Sequence, residues 1–132
     1  MEEKKIKVLI IDDEVDFSEA VAFWLQSKGH DVRTASNGKD AIQIVKKYTP
    51  DIIFCDINLP IMDGIEILGN IRRINKNIPV VMITAYADET KMAKAEKLGA
   101  SGFFPKKGNL EELGVMLQAT LMTHKKLQTD KT

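Results

Sequence analysis

Short, largely apolar runs recur along this chain, and they constrain its fold more than any other feature. They are Lys7 to Ile11, Val32 to Ala35, Ile52 to Cys55, Val80 to Ile83 and Ser101 to Phe104. A strand with one wet face alternates apolar and polar residues. Runs that are apolar throughout belong to strands covered on both faces. Between the runs, apolar residues recur at helical spacing. The first such stretch carries Phe17, Ala20, Val21, Trp24 and Leu25, with Gly29 as its stop. Ser36-Asn37-Gly38 caps a second stretch with Ala41, Ile44, Val45 and Tyr48. Ile65, Leu68, Ile71 and Ile74 mark a third, Ala87 to Leu98 a fourth, and Leu110, Leu113, Leu117 and Leu121 a fifth. Five strand-then-helix repeats predict an α/β fold: a single-domain, doubly wound, five-stranded parallel sheet flanked by five helices. Right-handed crossovers reduce the topologies to a few.

The 132 residues suit one domain with its own core, needing no disulfide or metal as a staple. The domain is expected over residues 1–124, with 125–132 a polar, flexible tail. Lys+Arg and Asp+Glu are both 19, so formal charge cancels. Neither nucleic acid nor an anionic membrane is therefore expected as a direct partner. Cys55 stands alone and inside an apolar run. It reads as a small buried hydrophobe in a reducing compartment. No apolar stretch is long enough to span a bilayer, and Val8 to Ile11 is too short for a signal-peptide core. A cytoplasmic protein is expected.

The polar residues concentrate where the apolar runs end. The first run ends in Asp12-Asp13, the third in Asp56 and the fourth in Thr84, while Lys106 closely follows the fifth. Open α/β sheets bind ligands at these ends, where strand order reverses. With strand order 2-1-3-4-5, the first and third strands are neighbours, and Asp12, Asp13 and Asp56 face one another. Three carboxylates this close need a proton or a cation among them. An all-oxygen donor set favours Mg²⁺, and no nearby His or Cys points to zinc. Asp16, by contrast, reads as a charge on the first turn of a helix. Phosphoryl transfer uses such a set: a carboxylate nucleophile, a metal, a mobile cation and a hydroxyl donor.

These residues bring the sequence close to a known family. Val8-Leu9-Ile10-Ile11-Asp12-Asp13-Glu14 and Asp56-Ile57-Asn58-Leu59-Pro60-Ile61-Met62-Asp63-Gly64 carry the likeness. So do Thr84-Ala85-Tyr86 and Gly99-Ala100-Ser101-Gly102-Phe103-Phe104-Pro105-Lys106. In order and spacing the chain resembles the receiver domain of bacterial response regulators over about residues 5 to 124. The resemblance implies a flavodoxin-like sheet of order 2-1-3-4-5. It implies that Asp56 is the phosphoacceptor, charged by a histidine kinase or a histidine phosphotransfer protein. Mg²⁺ would lie on Asp12, Asp13, Asp56 and the backbone carbonyl of Asn58, with Asp13 the more direct of the acidic pair. Thr84 corresponds to the hydroxyl switch residue, Lys106 to the site lysine and Phe103 to the aromatic that moves with Thr84. Asn58 and Tyr86 occupy positions that tune the lifetime of the phosphoryl group. An unidentified downstream protein would read the face of the fourth helix, fifth strand and fifth helix. The first helix, through Phe17, Ser18 and Gln26, would dock the phosphodonor. Such a domain is a signalling element rather than an enzyme, although it assists its own phosphorylation and dephosphorylation.

One departure stands out. The family usually places a proline, often with a cis bond, and then an apolar residue after the site lysine. Here Lys107 and Gly108 follow. A non-proline cis bond costs about 2.5–4 kcal/mol, so a trans, differently shaped loop is expected. Two other classes compete. An aspartyl-phosphate hydrolase would carry a second aspartate two residues after its nucleophile, where this chain has Asn58. A receiver-like interaction module that is never phosphorylated would lack one of the acids or the lysine.

Overall fold

The structure is a computed structural model that describes residues 5–86 and 88–130, with side chains to residue 125. Five strands form one parallel sheet: β1 (Lys7–Ile11), β2 (Asp31–Ala35), β3 (Ile52–Asp56), β4 (Val80–Thr84) and β5 (Gly102–Pro105). Their order is β2-β1-β3-β4-β5, as the sequence reading had it. Five helices follow the strands in turn: α1 (Val15–Ser27), α2 (Gly38–Tyr48), α3 (Gly64–Ile74), α4 (Glu89–Lys97) and α5 (Leu110–Asp130). Ala87, expected to begin the fourth helix, lies outside the described residues, as do 131 and 132 of the expected tail. The helical backbone of α5 runs past His124 to Asp130.

Two apolar layers sandwich the sheet. Residues of one strand alternate between them because successive side chains point to opposite faces. Leu9, Ile11, Ile53, Cys55 and Met82 join the layer under α2 and α3. Val8, Ile10, Ile52, Phe54, Val81 and Ile83 join the layer under α1 and α5. Every side chain of β3 is buried. This explains why the central runs are apolar at every position while β2, at the sheet edge, exposes Arg33 and Thr34.

The buried face of α1 is rotated from the expected one. Ser18, Val21, Ala22 and Leu25 are buried, whereas Ala20 is exposed and Phe17 and Trp24 are half-buried. Ser18 tolerates burial because its hydroxyl donates to the carbonyls of Val15 and Glu14 within the same helix. The caps are as the sequence suggested at α2, where Asn37 accepts from the Asp40 N–H at 2.8 Å. Asp63 and Asp88 cap α3 and α4 in the same way. Gly29, the expected stop of α1, and Gly99, which follows α4, have φ of +93° and +85°.

Arg72 fastens α4 from below. Its guanidinium donates to the carbonyls of Leu98 (3.0 Å) and Gly99 (2.8 Å), and to Ile78 (2.7 Å) in the loop before β4. Gly69, in the interior of α3, has no comparable reason. A Cβ there would meet only a Leu98 methyl, at 4.0 Å. Gly69→Ala is therefore expected to raise the unfolding free energy by about 0.5–1 kcal/mol, through helix propensity and a less free unfolded chain. A urea midpoint that stays put or falls would contradict this.

Candidate functional site

The carboxyl ends of β1 and β3 lie side by side, with Ile11 paired to Cys55. Asp56 closes β3 and Asp12 follows β1, so their carboxylates meet at the rim of the sheet. Both are nearly sealed from water, at 1% and 5% exposure for Asp12 and Asp56. Asp13 points outward and is exposed. One carboxylate oxygen from each of Asp12, Asp13 and Asp56 falls within 4.8 Å of the others.

The loops are built to hold this geometry. The Asp12 carboxylate accepts the Glu14 N–H at 2.8 Å, and the Asp56 carboxylate accepts the Asn58 N–H at 2.9 Å. Each acid thus closes a turn on itself, a habit of aspartate at strand-to-loop junctions. The β3–α3 loop then folds back. Gly64 donates to the Ile57 carbonyl at 2.8 Å, and any Cβ there would lie 2.1 Å from the Asp56 carbonyl oxygen. Only glycine permits that approach.

Lys106 supplies the counter-charge. Its ammonium lies 2.9 Å from Asp12 Oδ2, 3.2 Å from Asp56 Oδ2 and 2.9 Å from the exposed Glu14 carboxylate. The ammonium also lies over the Phe17 ring, 5.0 Å from its centre. Burial alone would lower the Lys106 pKa. Hydrogen bonds to Glu14 and Asp12, with the charges of Asp12 and Asp56, outweigh it and leave the pKa above its ordinary value. Asp12 is pushed toward its neutral form. Burial raises its pKa, and the Glu14 N–H and Lys106 only partly offset that. Asp12 Oδ2 has the ammonium beside it but no aligned hydrogen bond. This buried, under-satisfied oxygen facing two other carboxylates suits a hard cation with oxygen ligands, so the residues fit Mg²⁺.

The remaining expected residues take varied places. Thr84 ends β4, and its hydroxyl donates to the Tyr86 carbonyl within its own loop, away from the acids. Phe103 is half-buried on the α3–α4 side of the sheet. Asn58 is exposed, and its side-chain oxygen accepts from Lys91 Nζ at 2.8 Å. Lys107 is exposed, so of the two adjacent lysines it is Lys106 whose ammonium enters the acid cluster. The loop after Lys106 closes with Gly108 donating to the Pro105 carbonyl, and no peptide bond of the described residues is cis. Asn109 caps α5 through the Glu112 N–H at 2.8 Å. Cys55 is fully buried, and burial pushes its thiol pKa up. Glu14 and Lys91 make contacts the sequence did not single out, and Phe17, expected on the docking face, also lies beneath the Lys106 ammonium. Glu14 is legible only as one acid among several, and nothing in the spacing of Lys91 links it to Asn58.

Comparison with known proteins gives one pattern. A family model described as the response regulator receiver domain matches residues 8–118. A chemotaxis protein of Vibrio cholerae, CheY4, is 32% identical, with a TM-score of 0.85 over 89% of this chain and 99% of its own. A putative response regulator of Chloroflexus aurantiacus is 30% identical, with a TM-score of 0.82 over 90% of this chain and 99% of its own. NtrX of Brucella abortus superposes with a TM-score of 0.90 at 29% identity; 97% of this chain matches 30% of that one. Among the described residues, no helix is long and apolar enough to cross a membrane.

The raised Asp12 pKa has a direct consequence for stability. A carboxyl group whose pKa is higher folded than unfolded favours folding only while protonated. That contribution is lost as pH rises through the folded pKa. At neutral pH the ionised Asp12 therefore weighs against the fold. Asp12→Asn keeps the turn to Glu14 and is expected to stabilise the metal-free protein by on the order of 1 kcal/mol. The gain should shrink as pH falls toward the ordinary aspartate value of 3.8. Urea titrations of both proteins across acid and neutral pH would show it; a gain that grows in acid would refute the assignment.

Proposed function

The chain belongs to the response regulator receiver domain family, a domain of two-component signalling, and from that premise we propose that Asp56 is its phosphoacceptor. One observation carries the reading: a nearly buried Asp56 shares its site with Asp12, Asp13 and a lysine ammonium. A carboxylate oxygen of Asp56 attacks phosphorus. The new O–P bond forms as the N–P bond of a phosphohistidine breaks, and the departing imidazole nitrogen is protonated by solvent. Asp12, Asp13, Asp56 and the Asn58 carbonyl would hold Mg²⁺, which when bound neutralises charge on the phosphoryl oxygens.

The protein's own groups do the rest. Lys106 swings on its flexible stem from the carboxylates to a phosphoryl oxygen. The Thr84 hydroxyl exchanges the Tyr86 carbonyl for a second phosphoryl oxygen, and Phe103 follows it inward. The added charge biases a two-state equilibrium that a downstream protein reads on the α4–β5–α5 face. The donor is a histidine kinase or a histidine phosphotransfer protein in the cytoplasm. Phe17 and Gln26 remain accessible for docking it on α1. Ser18, also expected there, is buried and bonded within its helix, so it offers no such contact.

Incubation with phosphoramidate and Mg²⁺, followed by intact mass measurement, is expected to give one labile phosphoryl adduct. Asp56→Asn or a chelator should abolish it. An adduct that persists in Asp56→Asn, or no adduct on the parent protein, would sink the proposal. Mg²⁺ should also raise the melting temperature of the parent, by the equivalent of about 2.7 kcal/mol at a hundredfold excess over Kd. Asp13→Asn should lose that rise; an equal rise in both proteins would place the ion elsewhere.

A further inference from the structure

Asn58 is held at two points. Its backbone N–H donates to the Asp56 carboxylate at 2.9 Å, and its side-chain oxygen accepts from Lys91 Nζ at 2.8 Å. Lys91 sits in the first turn of α4, where its own N–H donates to the capping carboxylate of Asp88 at 3.1 Å. Asp56, Asn58 and α4 are thus joined in series, although Asn58 and Lys91 are 33 residues apart in the chain.

The rest of α4 is lightly anchored. Ala95 is its one fully buried residue, with Met92 and Leu98 packing partly against the core. Arg72 ties down its carboxyl end through Leu98 and Gly99. Its amino end is tied by Lys91 to Asn58. The segment leading into that end contains Thr84, whose hydroxyl is engaged by the Tyr86 carbonyl. When Thr84 turns toward a phosphoryl group, this segment must readjust, and the position of Lys91 with it.

We infer that Lys91 is a positioning residue that latches α4 to the Asp56–Asn58 loop and favours the unphosphorylated conformation. The inference rests on the phosphoacceptor reading of Asp56 and adds a regulatory contact to it. By linkage, whatever the latch contributes to the resting state opposes phosphorylation by the same factor. An exposed hydrogen bond from an ammonium to a neutral amide oxygen is worth no more than an exposed ion pair, so the factor is about two- to fivefold. The sign separates the latch from simple charge. Removing a lysine beside an acidic site should slow attack on an anionic donor if charge alone matters. Removing a latch should speed it.

The test compares the initial rates of phosphorylation by phosphoramidate and Mg²⁺ in the parent, Lys91→Met, Lys91→Arg, Asn58→Ala and the Lys91→Met/Asn58→Ala double variant. Lys91→Met should be about two- to fivefold faster than the parent. Lys91→Arg, which keeps a donor, should stay near the parent rate, and the double variant should match a single one. A Lys91→Met rate equal to or below the parent's would overturn the inference. So would a double variant whose effect is the product of the two singles. A second measurement does not depend on phosphorylation. In ¹⁵N-labelled resting protein, Lys91→Met should shift the Asn58 side-chain amide together with the backbone amides of the α4 first turn, and Lys91→Arg should largely restore them. Unmoved Asn58 signals would refute the latch even if Asp56 takes up phosphate. A moved signal in a protein that takes no adduct would instead overturn the reading of Asp56 and leave the contact standing.

Discussion

The ammonium of Lys106 among the carboxylates of Asp12, Asp56 and Glu14 is the interaction on which the site depends. Two acids at the ends of adjacent central strands lose most of their water when the sheet is covered on both faces. Ionised carboxylates in that position are costly unless paired. The lysine arrives from β5, two strands away from β3, and its ammonium lies over the Phe17 ring as it reaches the acids. The Glu14 contact, on the exposed side, holds the ammonium at the mouth of the site rather than deep within it. A cation on a flexible stem can leave its partners when better ones arrive, which a fixed guanidinium fork would do less readily.

The compensation is partial, and this gives the site its character. Asp12 is pushed toward protonation by burial, and one of its oxygens has no aligned donor. A protein selected only for stability would not keep such a group. Residual repulsion of this kind is relieved when positive charge enters, so binding and stability are linked at the same few atoms. The surrounding backbone is correspondingly firm. Asp12 and Asp56 each accept a neighbouring N–H, and Gly64 brings the returning loop against the Asp56 carbonyl.

Much of this was legible in the residues. The uninterrupted runs in β1, β3 and β4 announced a sheet covered on both sides, and the acids directly after β1 and β3 announced the site. The rotated face of α1 was not legible. Ser18 looks polar in a sequence, yet its hydroxyl can be satisfied by its own helix and then buried, whereas apolar Ala20 is small enough to be exposed at little cost. Nor was the Lys91–Asn58 contact legible, because it joins the β3–α3 loop to the first turn of α4, brought together only by the packing of α3 and α4 beside β3 and β4.

The sequence by itself determined the alternation of strand and helix and which acids and which lysine stand at strand ends, and it narrowed the sheet order to a few through right-handed crossovers. Those are matters of local periodicity and chain connectivity. Tertiary structure alone decided that Glu14 shares the charge of Lys106, and that the Thr84 hydroxyl rests on the Tyr86 carbonyl. These depend on side-chain direction and on a few ångströms of separation between segments far apart in the chain. Periodicity and connectivity carry no information about either.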